Sequence, residues 1–553
     1  MEEYRAKIKK LIKKHIDSEI VLEIPPDASL GDFALPCFQF SKKLKKNPAE
    51  IASGLKANLK SDFIEKTEAK GPYLNFFIDR RAIARDTIKK VLAQKEGFGK
   101  IASKKEKVMV EFSQANTHKA FHVGHVRGTS LGESLARILE FTGKNVIRAN
   151  YQGDTGMHVA KWLWCYKKFH SKEKIKKDES WFAHIYVDAV KRLSHNPELQ
   201  QEVDEINQNL DSRKDEKLNK LWQKTRKLCL DSLEEIYKEL NTGFDEYFFE
   251  SELESPAKKI SRELLDKKVA EVSDGATIVN LERYNLGIFL MLRKDGTVLY
   301  GGKDIALAAR KFSKFKVNTS IYVVGKEQEH YLKQVFRVLE LMKLKYSCIH
   351  VPVSLLKLPH GKMSSRTGDN ILYSDFRKEL VDFAKKEIKK RHRKLSEKEL
   401  EKRALAIAIA SMKYSMLKQN PNKEIIFNKE ESVNFEGNTG PYLQYSYARA
   451  SSIIRKGDKA GRLAIPELHE KEILLLKRIA ELPSMVGKAA SSLNPGIIAN
   501  YSYKLAQDFN EFYTACKVIG SEEEAFRIRL VQAFRQALKN SLDLLGIDAL
   551  ERM

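Results

Sequence analysis

The stretch VMVEFSQANTHKAFHVGHVRGTSLGESLARILEFTG, residues 108–143, restricts the fold of this chain more than any other segment. Val108 to Phe112 form a short apolar run rich in β-branched residues, which predicts a buried strand. After a polar loop, Val126, Leu131, Leu135, Ile138 and Leu139 recur at helical spacing. The loop ends in His122-Val-Gly-His125, at or near the helix N-terminus, where unpaired backbone N–H groups and the positive end of the helix dipole favour an anion. A phosphate site is the expectation. Gly124 removes a side chain where a flat ring or ribose can come close to the backbone, and both imidazoles can donate hydrogen bonds to phosphate oxygens as charge builds up on them. Lys119 adds a positive charge one turn earlier. Two histidines at this spacing also fit helix caps or metal ligands, but with no CxxC and no third ligand nearby a zinc site is disfavoured.

A chain of 553 residues is too long for one core, and the length prior gives about three or four domains. Lys and Arg number 99 against 74 Asp and Glu, a net charge of +25, while a hydrophobic fraction of 42% is enough for packed cores. Excess positive charge on a folded protein points to a polyanionic partner held through its phosphates. A membrane partner would instead need an amphipathic or lipidated anchor, and no apolar run reaches the ~18 residues of a span. The N-terminal MEEYRAKIKKLIKKH lacks the apolar core of a signal peptide, so a cytosolic protein is expected. Cys37, Cys165, Cys229, Cys348 and Cys516 show no paired spacing and read as reduced thiols that fill space.

In chain order, residues 1–100 read as a small α+β unit: a basic amphipathic helix, the turn-rich IPPDASLGDFALP, and a strand in GPYLNFFID. Tyr73, Asn75 and Phe76 fit ordinary strand positions; exposed aromatics beside basic residues also fit stacking on unpaired bases. Residues 101–375 open with the strand, loop and helix, a second strand from Asn145 to Ala149 and the turn QGDTG at 152–156, a βαβ-like start of a doubly wound nucleotide fold. A charged, helical insertion is expected around 160–270, with HSKEKIKKDES and DSRKDEKLNK as solvated faces. Strands return in ATIVNL, GIFLMLR, TVLYG and SIYVVG, with helices near Asp304 and in EQEHYLKQVFRVLELM, after which HVPVSLL leads on. Then comes the polar, basic loop Gly361-Lys362-Met363-Ser364-Ser365-Arg366-Thr367-Gly368. Residues 376–553 show almost only helical periodicity and predict a helix bundle, on which Tyr442, Tyr445 and Arg449 fall on neighbouring turns as an aromatic and basic face or as buried packing.

A loop carrying Lys362 and two hydroxyls, placed on the second half of a nucleotide fold, has what is needed to hold triphosphate charge during attack at phosphorus. HVGH and KMSSR resemble the two signature motifs of class I aminoacyl-tRNA synthetases, in the expected order. EFSQANTHKAFHVGH, LYGGKD, VGKEQ, GNTGPYLQYSYAR and the C-terminal LGIDALERM together resemble the arginyl-tRNA synthetases over essentially the whole chain. The resemblance implies an N-terminal domain that reads the outer corner of tRNA, a Rossmann-type parallel-sheet catalytic domain with insertions, and an all-α anticodon-binding bundle. It implies activation of L-arginine with ATP and Mg²⁺, with no dedicated protein metal site, and transfer to the terminal ribose of tRNA(Arg) by a cytoplasmic monomer. By the same resemblance the arginine site falls on Glu111, Ser113, Asn116, Tyr300, Asp304 and Gln328, and the ATP site on Lys119, His122, Gly124, His125, Lys362, Met363, Ser364, Ser365 and Arg366. Lys119, His122, His125 and Lys362 are the implied catalytic groups, and tRNA contacts fall on Tyr73, Asn75, Tyr442, Tyr445, Arg449 and Met553.

The chemistry of the side chains supports this independently, because a guanidinium presents planar donors and Glu111 and Asp304, on opposite halves of the fold, can clamp it from two sides. Ala115 and Ala120 stand where the family often has proline, and the second lysine of the loop is replaced by Arg366 in RTG context; Lys119 is implied as the replacement cation. Two other readings remain at this level. A class I synthetase for another amino acid fits the paired carboxylates less well, and a tRNA-binding protein with a retired catalytic site fits the intact His122, His125 and Lys362 less well.

Overall fold

The computed structural model describes residues 1–102, 105–344, 346–354, 356–358, 361–362, 371–391, 395–457 and 464–553. At the N-terminus, Tyr4, Ile8 and Ile12 recur every fourth residue and form the buried face of the helix Glu2–Lys13. Strands β1 (Phe33–Pro36), β2 (Ile64–Lys70) and β3 (Tyr73–Ile78) form an antiparallel sheet with β3 in the middle. The turn between β2 and β3 runs through Gly71 at φ +57°, a conformation glycine adopts without a Cβ penalty. Asp79 then caps the helix Arg80–Gln94 by accepting from Arg81 N–H at 2.7 Å, and the chain passes into the central sheet.

The central sheet begins with β4 (Lys107–Glu111), β5 (Asn145–Gln152) and β6 (Glu246–Phe249). A separate antiparallel sheet of β7 (Glu271–Ser273), β8 (Ala276–Asn280) and β9 (Ile288–Leu292) follows. The central sheet is completed by β10 (Thr319–Gly325) and β11 (Ser347–Val353). Its five strands are all parallel in the order β11-β10-β4-β5-β6, so the direction of winding reverses between β10 and β4. In open sheets of this kind ligands bind at that reversal, outside the carboxyl ends of the strands, where Glu111 and Tyr322 sit side by side. Between β5 and β6 four helices, Met157–Phe169, Glu179–His195, Gln200–Ser212 and Glu216–Glu239, pack around Trp162, Trp181, Phe182 and Trp222. The charged stretch expected to be insertion up to about 270 thus gives up Glu246–Phe249 to the sheet. Four residues set among charges are too short to show a strand period.

Beyond the sheet, β12 (Leu356–Leu358) pairs antiparallel with β13 (Gly361–Lys362) and parallel with β14 (Ile425–Ile426). The small β14 is a departure from the purely helical expectation for the C-terminal third. The helices Glu397–Leu417, Gly440–Lys456, Glu470–Ala480, Leu482–Ser491, Gly496–Ala515 and Glu524–Leu544 make the bundle, with Leu443, Leu475, Leu505, Phe509 and Phe534 in its core. A polar seam joins the bundle to the helix Val123–Phe141. Ser134 Oγ donates to Leu544 O at 2.8 Å, Arg137 donates to Asp543 O at 3.1 Å and to Asn241 O at 2.8 Å, and Lys413 donates to Leu240 O at 2.6 Å. Burial pushes the Lys413 ammonium down to about 7. On the N-terminal side, Asp32 holds both Arg80 and Lys477 of the bundle. Among the described residues no helix is long and apolar enough to cross a membrane.

Candidate active site

The helix Val123–Phe141 begins at the N-cap His122. The His122 backbone N–H donates to Nδ1 of His125 at 3.1 Å, so the side chain three residues on closes the helix start. With Nδ1 accepting, the proton of a neutral His125 ring sits on Nε2, free to donate outward. Burial first, then His122 and Lys119, hold His125 well below its usual range, and burial with Lys119 holds His122 at about 4. Both rings are therefore neutral donors at pH 7. A Cβ on Gly124 would lie 2.9 Å from the His122 ring, so the room that glycine leaves is used first by this imidazole rather than by a ligand's ring or ribose.

The loop between β4 and this helix is strained. Ser113, Gln114 and His118 all have positive φ, at +74°, +54° and +60°, a region non-glycine residues enter at a cost and keep only where their surroundings fix them. His118 is fixed by Thr117 and Thr225, each 2.9 Å from a ring nitrogen, and Gln114 by donating to Glu111 at 3.0 Å. Ser113 is committed beneath the loop. Its Oγ donates to Tyr237 OH at 3.1 Å and accepts from Thr129 at 2.9 Å, so its side chain does not face the cavity that its predicted partners line.

That cavity, about 480 Å³, opens at the reversal point of the sheet and is lined by Glu111, Asn116, Lys119, Tyr300, Asp304 and Gln328, the expected residues, and by others. Glu111 and Lys311 form an ion contact buried in its floor, without an aligned hydrogen bond between Glu111 Oε2 and the ammonium. Asp304 accepts from Tyr331 OH at 2.5 Å, and burial, opposed by that bond and reinforced by Glu111, pushes its carboxyl up to about 7. Glu250 accepts from Lys303 at 2.9 Å. A Cβ at Gly153 would collide with Asn116 Oδ1, so this glycine lets Asn116 reach the wall. Tyr300, 67% exposed, and Gln328, also exposed, stand at the mouth.

Tyr151, His158, Glu250, Lys311, Tyr322 and Tyr331 line the same cavity and were not singled out from sequence. Part of the signal was present: Tyr300, Asp304, Leu307 and Lys311 follow i, i+4, i+7, i+11 spacing along the helix Tyr300–Phe315 and share one face. Tyr151 lies one residue before the end of β5, whose place near the reversal only the sheet order reveals. Lys119 lines the cavity too, and its charge depresses His122, His125 and His158, which ties the cavity to the helix start.

Met363, Ser364, Ser365 and Arg366 lie outside the described residues. Upstream of them Lys362 ends β13; downstream, beside His122, Ile371 O accepts from Val123 N–H at 3.3 Å and Tyr373 N–H donates to Phe121 O at 2.9 Å. On the bundle, Arg449 sits 4.8 Å from the Tyr445 ring centre and bonds its hydroxyl at 3.2 Å, and Asn510 donates to Tyr442 OH at 2.8 Å while accepting from Arg449. Both tyrosines are half-buried, and Met553 packs with Tyr445 against the adjoining core. Tyr73 is half-buried beside Phe38, whereas Asn75 is 4% exposed in the middle strand. Flanked on both sides by β1 and β2, Asn75 belongs to the packing of the sheet, which removes it from the expected contact surface. Cys165, His170 and Asp188 in the insertion have metal-ligand composition, but Asp188 accepts from Arg192 at 2.8 Å and Cys165 is pushed up to about 12, chiefly by burial, which suits an ion-pair network better than a metal.

Residues 87–429 match the family model described as tRNA synthetases class I (R), catalytic domain. Residues 443–553 match the DALR anticodon binding domain, and residues 2–78 the arginyl tRNA synthetase N terminal domain. Proteins named arginine–tRNA ligase from Clostridium perfringens and Clostridium beijerinckii are 35% and 36% identical to this chain, with 100% of each sequence covered. Among solved structures, the Thermus thermophilus arginyl-tRNA synthetase is 26% identical with a TM-score of 0.82 over 100% of both chains. An arginyl-tRNA synthetase of Plasmodium falciparum shares the fold at a TM-score of 0.76 and 21% identity, over 99% of each.

Proposed function

The chain belongs to the arginyl-tRNA synthetases, class I enzymes that activate L-arginine with ATP and pass it to the 3′-terminal ribose of tRNA(Arg), and from that premise we propose how its residues divide the work. The arginine guanidinium takes the floor of the 480 Å³ cavity, between Glu111 and Asp304. Tyr331 occupies Oδ2 of Asp304, which leaves Oδ1 to accept a guanidinium N–H. Asn116, Tyr300 and Gln328 define the walls and mouth, and Ser113 acts through the loop it holds rather than by side-chain contact. The observation that carries this reading is the gathering of Glu111, Asp304 and Glu250 with four tyrosines around one cavity joined by Lys119 to a helix N-terminus.

ATP lies over that N-terminus, with its phosphates facing Lys119, His122 and His125 and the backbone at Gly124. Lys362 acts on it from the other half, and the resemblance adds Met363, Ser364, Ser365 and Arg366, which lie outside the described residues. Attack of the arginine carboxylate on the α-phosphorus releases pyrophosphate and needs no enzyme nucleophile; the protein supplies position and donors where negative charge grows. The imidazoles and the lysine of this wall are not magnesium ligands, so Mg²⁺ arrives on the ATP phosphates, where it neutralises their charge. tRNA is held by the bundle face of Tyr442, Tyr445 and Arg449, backed by Met553, and by Tyr73 of the N-terminal unit. The working parts are residues 1–100, 101–375 and 376–553. Four buried free cysteines suit the reducing cytoplasm. A pyrophosphate-exchange screen of the 20 amino acids with tRNA present tests the assignment: arginine alone is exchanged, and exchange with lysine at the same rate removes the carboxylate clamp as its explanation.

A further inference from the structure

We propose that Arg127 is a positioning residue for activation, a buried clamp that fixes the strand carrying Lys362 against the start of the Val123–Phe141 helix. Arg127 follows His125 by two residues and is 1% exposed, among the largest fully buried side chains of the molecule. Its guanidinium donates to Ser354 O at 2.5 Å, to Pro421 O at 3.1 Å and to Lys423 O at 2.6 Å. Burying a guanidinium is costly, and a methionine or leucine would fill the same volume without that cost. What an apolar side chain cannot do is hold carbonyls of two separate segments in one planar fork.

The two segments are the roots of the strand pair on which Lys362 is carried. Ser354 precedes β12, Lys423 precedes β14, and Leu356 lies opposite Ile425 in the parallel β12·β14 pair. Ser354 is also tied directly across, its N–H to Pro421 O at 3.1 Å and its Oγ to Asn422 O at 2.7 Å. On its other side β12 pairs with β13, Lys357 opposite Lys362 and Leu358 opposite Gly361. A hydrogen-bonded path therefore runs from the residue two beyond His125, through Lys423 and the paired β14 and β12, to the backbone of Lys362. Downstream, Ile371 and Tyr373 are bonded to Val123 and Phe121. Both ends of the 362–371 segment are thus referred to the same helix start, the upstream one through Arg127.

The proposal rests on Lys362 acting in the ATP step, and the experiment separates the two claims. Adenylate formation is followed in single turnover with tRNA present for full-length Arg127→Lys, Lys362→Ala and the double variant. A misplacement of about 1 Å costs on the order of 10²-fold in rate, so Arg127→Lys is expected to slow activation to that extent while the KM for arginine stays within about twofold. In the Lys362→Ala background the same change is expected to cost less than about threefold, because the two residues act through one element. If the two losses multiply, or arginine KM rises as kcat falls, Arg127 is merely structural and the proposal is overturned. If Lys362→Ala alone leaves the rate unchanged, the assignment of Lys362 to the ATP step falls, and the clamp with it. Should Arg127→Lys fail to fold, Ser354→Ala, which removes the bond to Asn422 within the same clamp, takes its place in the cycle. A smaller loss that vanishes beside Lys362→Ala supports the clamp, and an unchanged or multiplicative rate overturns it.

Discussion

Asp304 shows how one side chain can serve recognition at the expense of the empty site. Its carboxyl, pushed up to about 7 chiefly by burial, must be ionised to accept guanidinium N–H groups. Arginine affinity is therefore expected to rise with pH through about 7 and level off above it, with a proton released on binding below that point; calorimetry in buffers of different ionisation enthalpy reads both. For the ligand-free enzyme the sign is opposite. An acid whose folded pKa exceeds its unfolded value of 3.8 costs stability as pH rises from about 4 through 7, with the whole cost present above 7. Asp304→Asn should thus melt higher than the unaltered protein at pH 8 and bind arginine more weakly, with ATP affinity near normal. Undiminished arginine binding in this variant would return Asp304 to the wall of an unrelated cavity. His125 has a different duality, the proposed donor to phosphate and the acceptor for the His122 N–H at 3.1 Å. Loss of a transition-state donor costs ~2.7–4 kcal/mol, whereas loss of a cap costs ~0.5–2 kcal/mol. His125→Ala is expected to slow adenylate formation far more than it lowers the melting temperature, and unchanged single-turnover activation would end the assignment.

The helix Gly440–Lys456 carries the proposed tRNA contacts Tyr442, Tyr445 and Arg449 half in and half out of the bundle. Asn510 ties Tyr442 to Arg449, and Arg449 bonds Tyr445, so the face is preorganised rather than assembled on contact. Replacing both tyrosines by leucine should weaken tRNA binding, since a stacked base is worth ~1–3 kcal/mol, while the melting curve stays native. Equal tRNA affinity before and after would leave the rings as packing. Elements of this kind were legible in the sequence because their signals are local: the helix Val123–Phe141 from its apolar spacing, β10 from SIYVVG, the bundle from uninterrupted periodicity. Where the reading fell short, the missing information was non-local. Glu246–Phe249 becomes a strand only because β5 offers it a partner 97 residues away, as the Asp245–Arg148 contact shows. Asn75 lost its exposure to neighbours on both sides, and Ser113 lost its place in the cavity to Tyr237, 124 residues on. Motif residues and a third of the cavity lining could be named in advance; the lysines and tyrosines that hold its carboxylates could not, because their proximity is a property of the sheet order.

At the scale of the whole molecule, a net charge of +25 sets the range over which tRNA is felt. Phosphate contacts release counterions, so the logarithm of tRNA affinity should fall with the logarithm of salt by about 0.7–0.9 for each phosphate neutralised, a total slope of several units, while arginine binding in its enclosed cavity changes little. A flat salt dependence measured by filter binding would mean that the surface charge is unrelated to tRNA. The polar seam between the Val123–Phe141 helix and the bundle bears on how the protein is made. Ser134 and Arg137 find their carbonyl partners 410 and 406 residues further along the chain. At a translation rate of 5–20 residues per second, those partners leave the ribosome roughly 20–80 s after the helix that needs them. For that interval Ser134 lacks its partner and Arg137 has only Glu133 and Asn241, and this face of the helix that begins at His122 stays open to proteases and chaperones until the far end of the chain arrives to cover it.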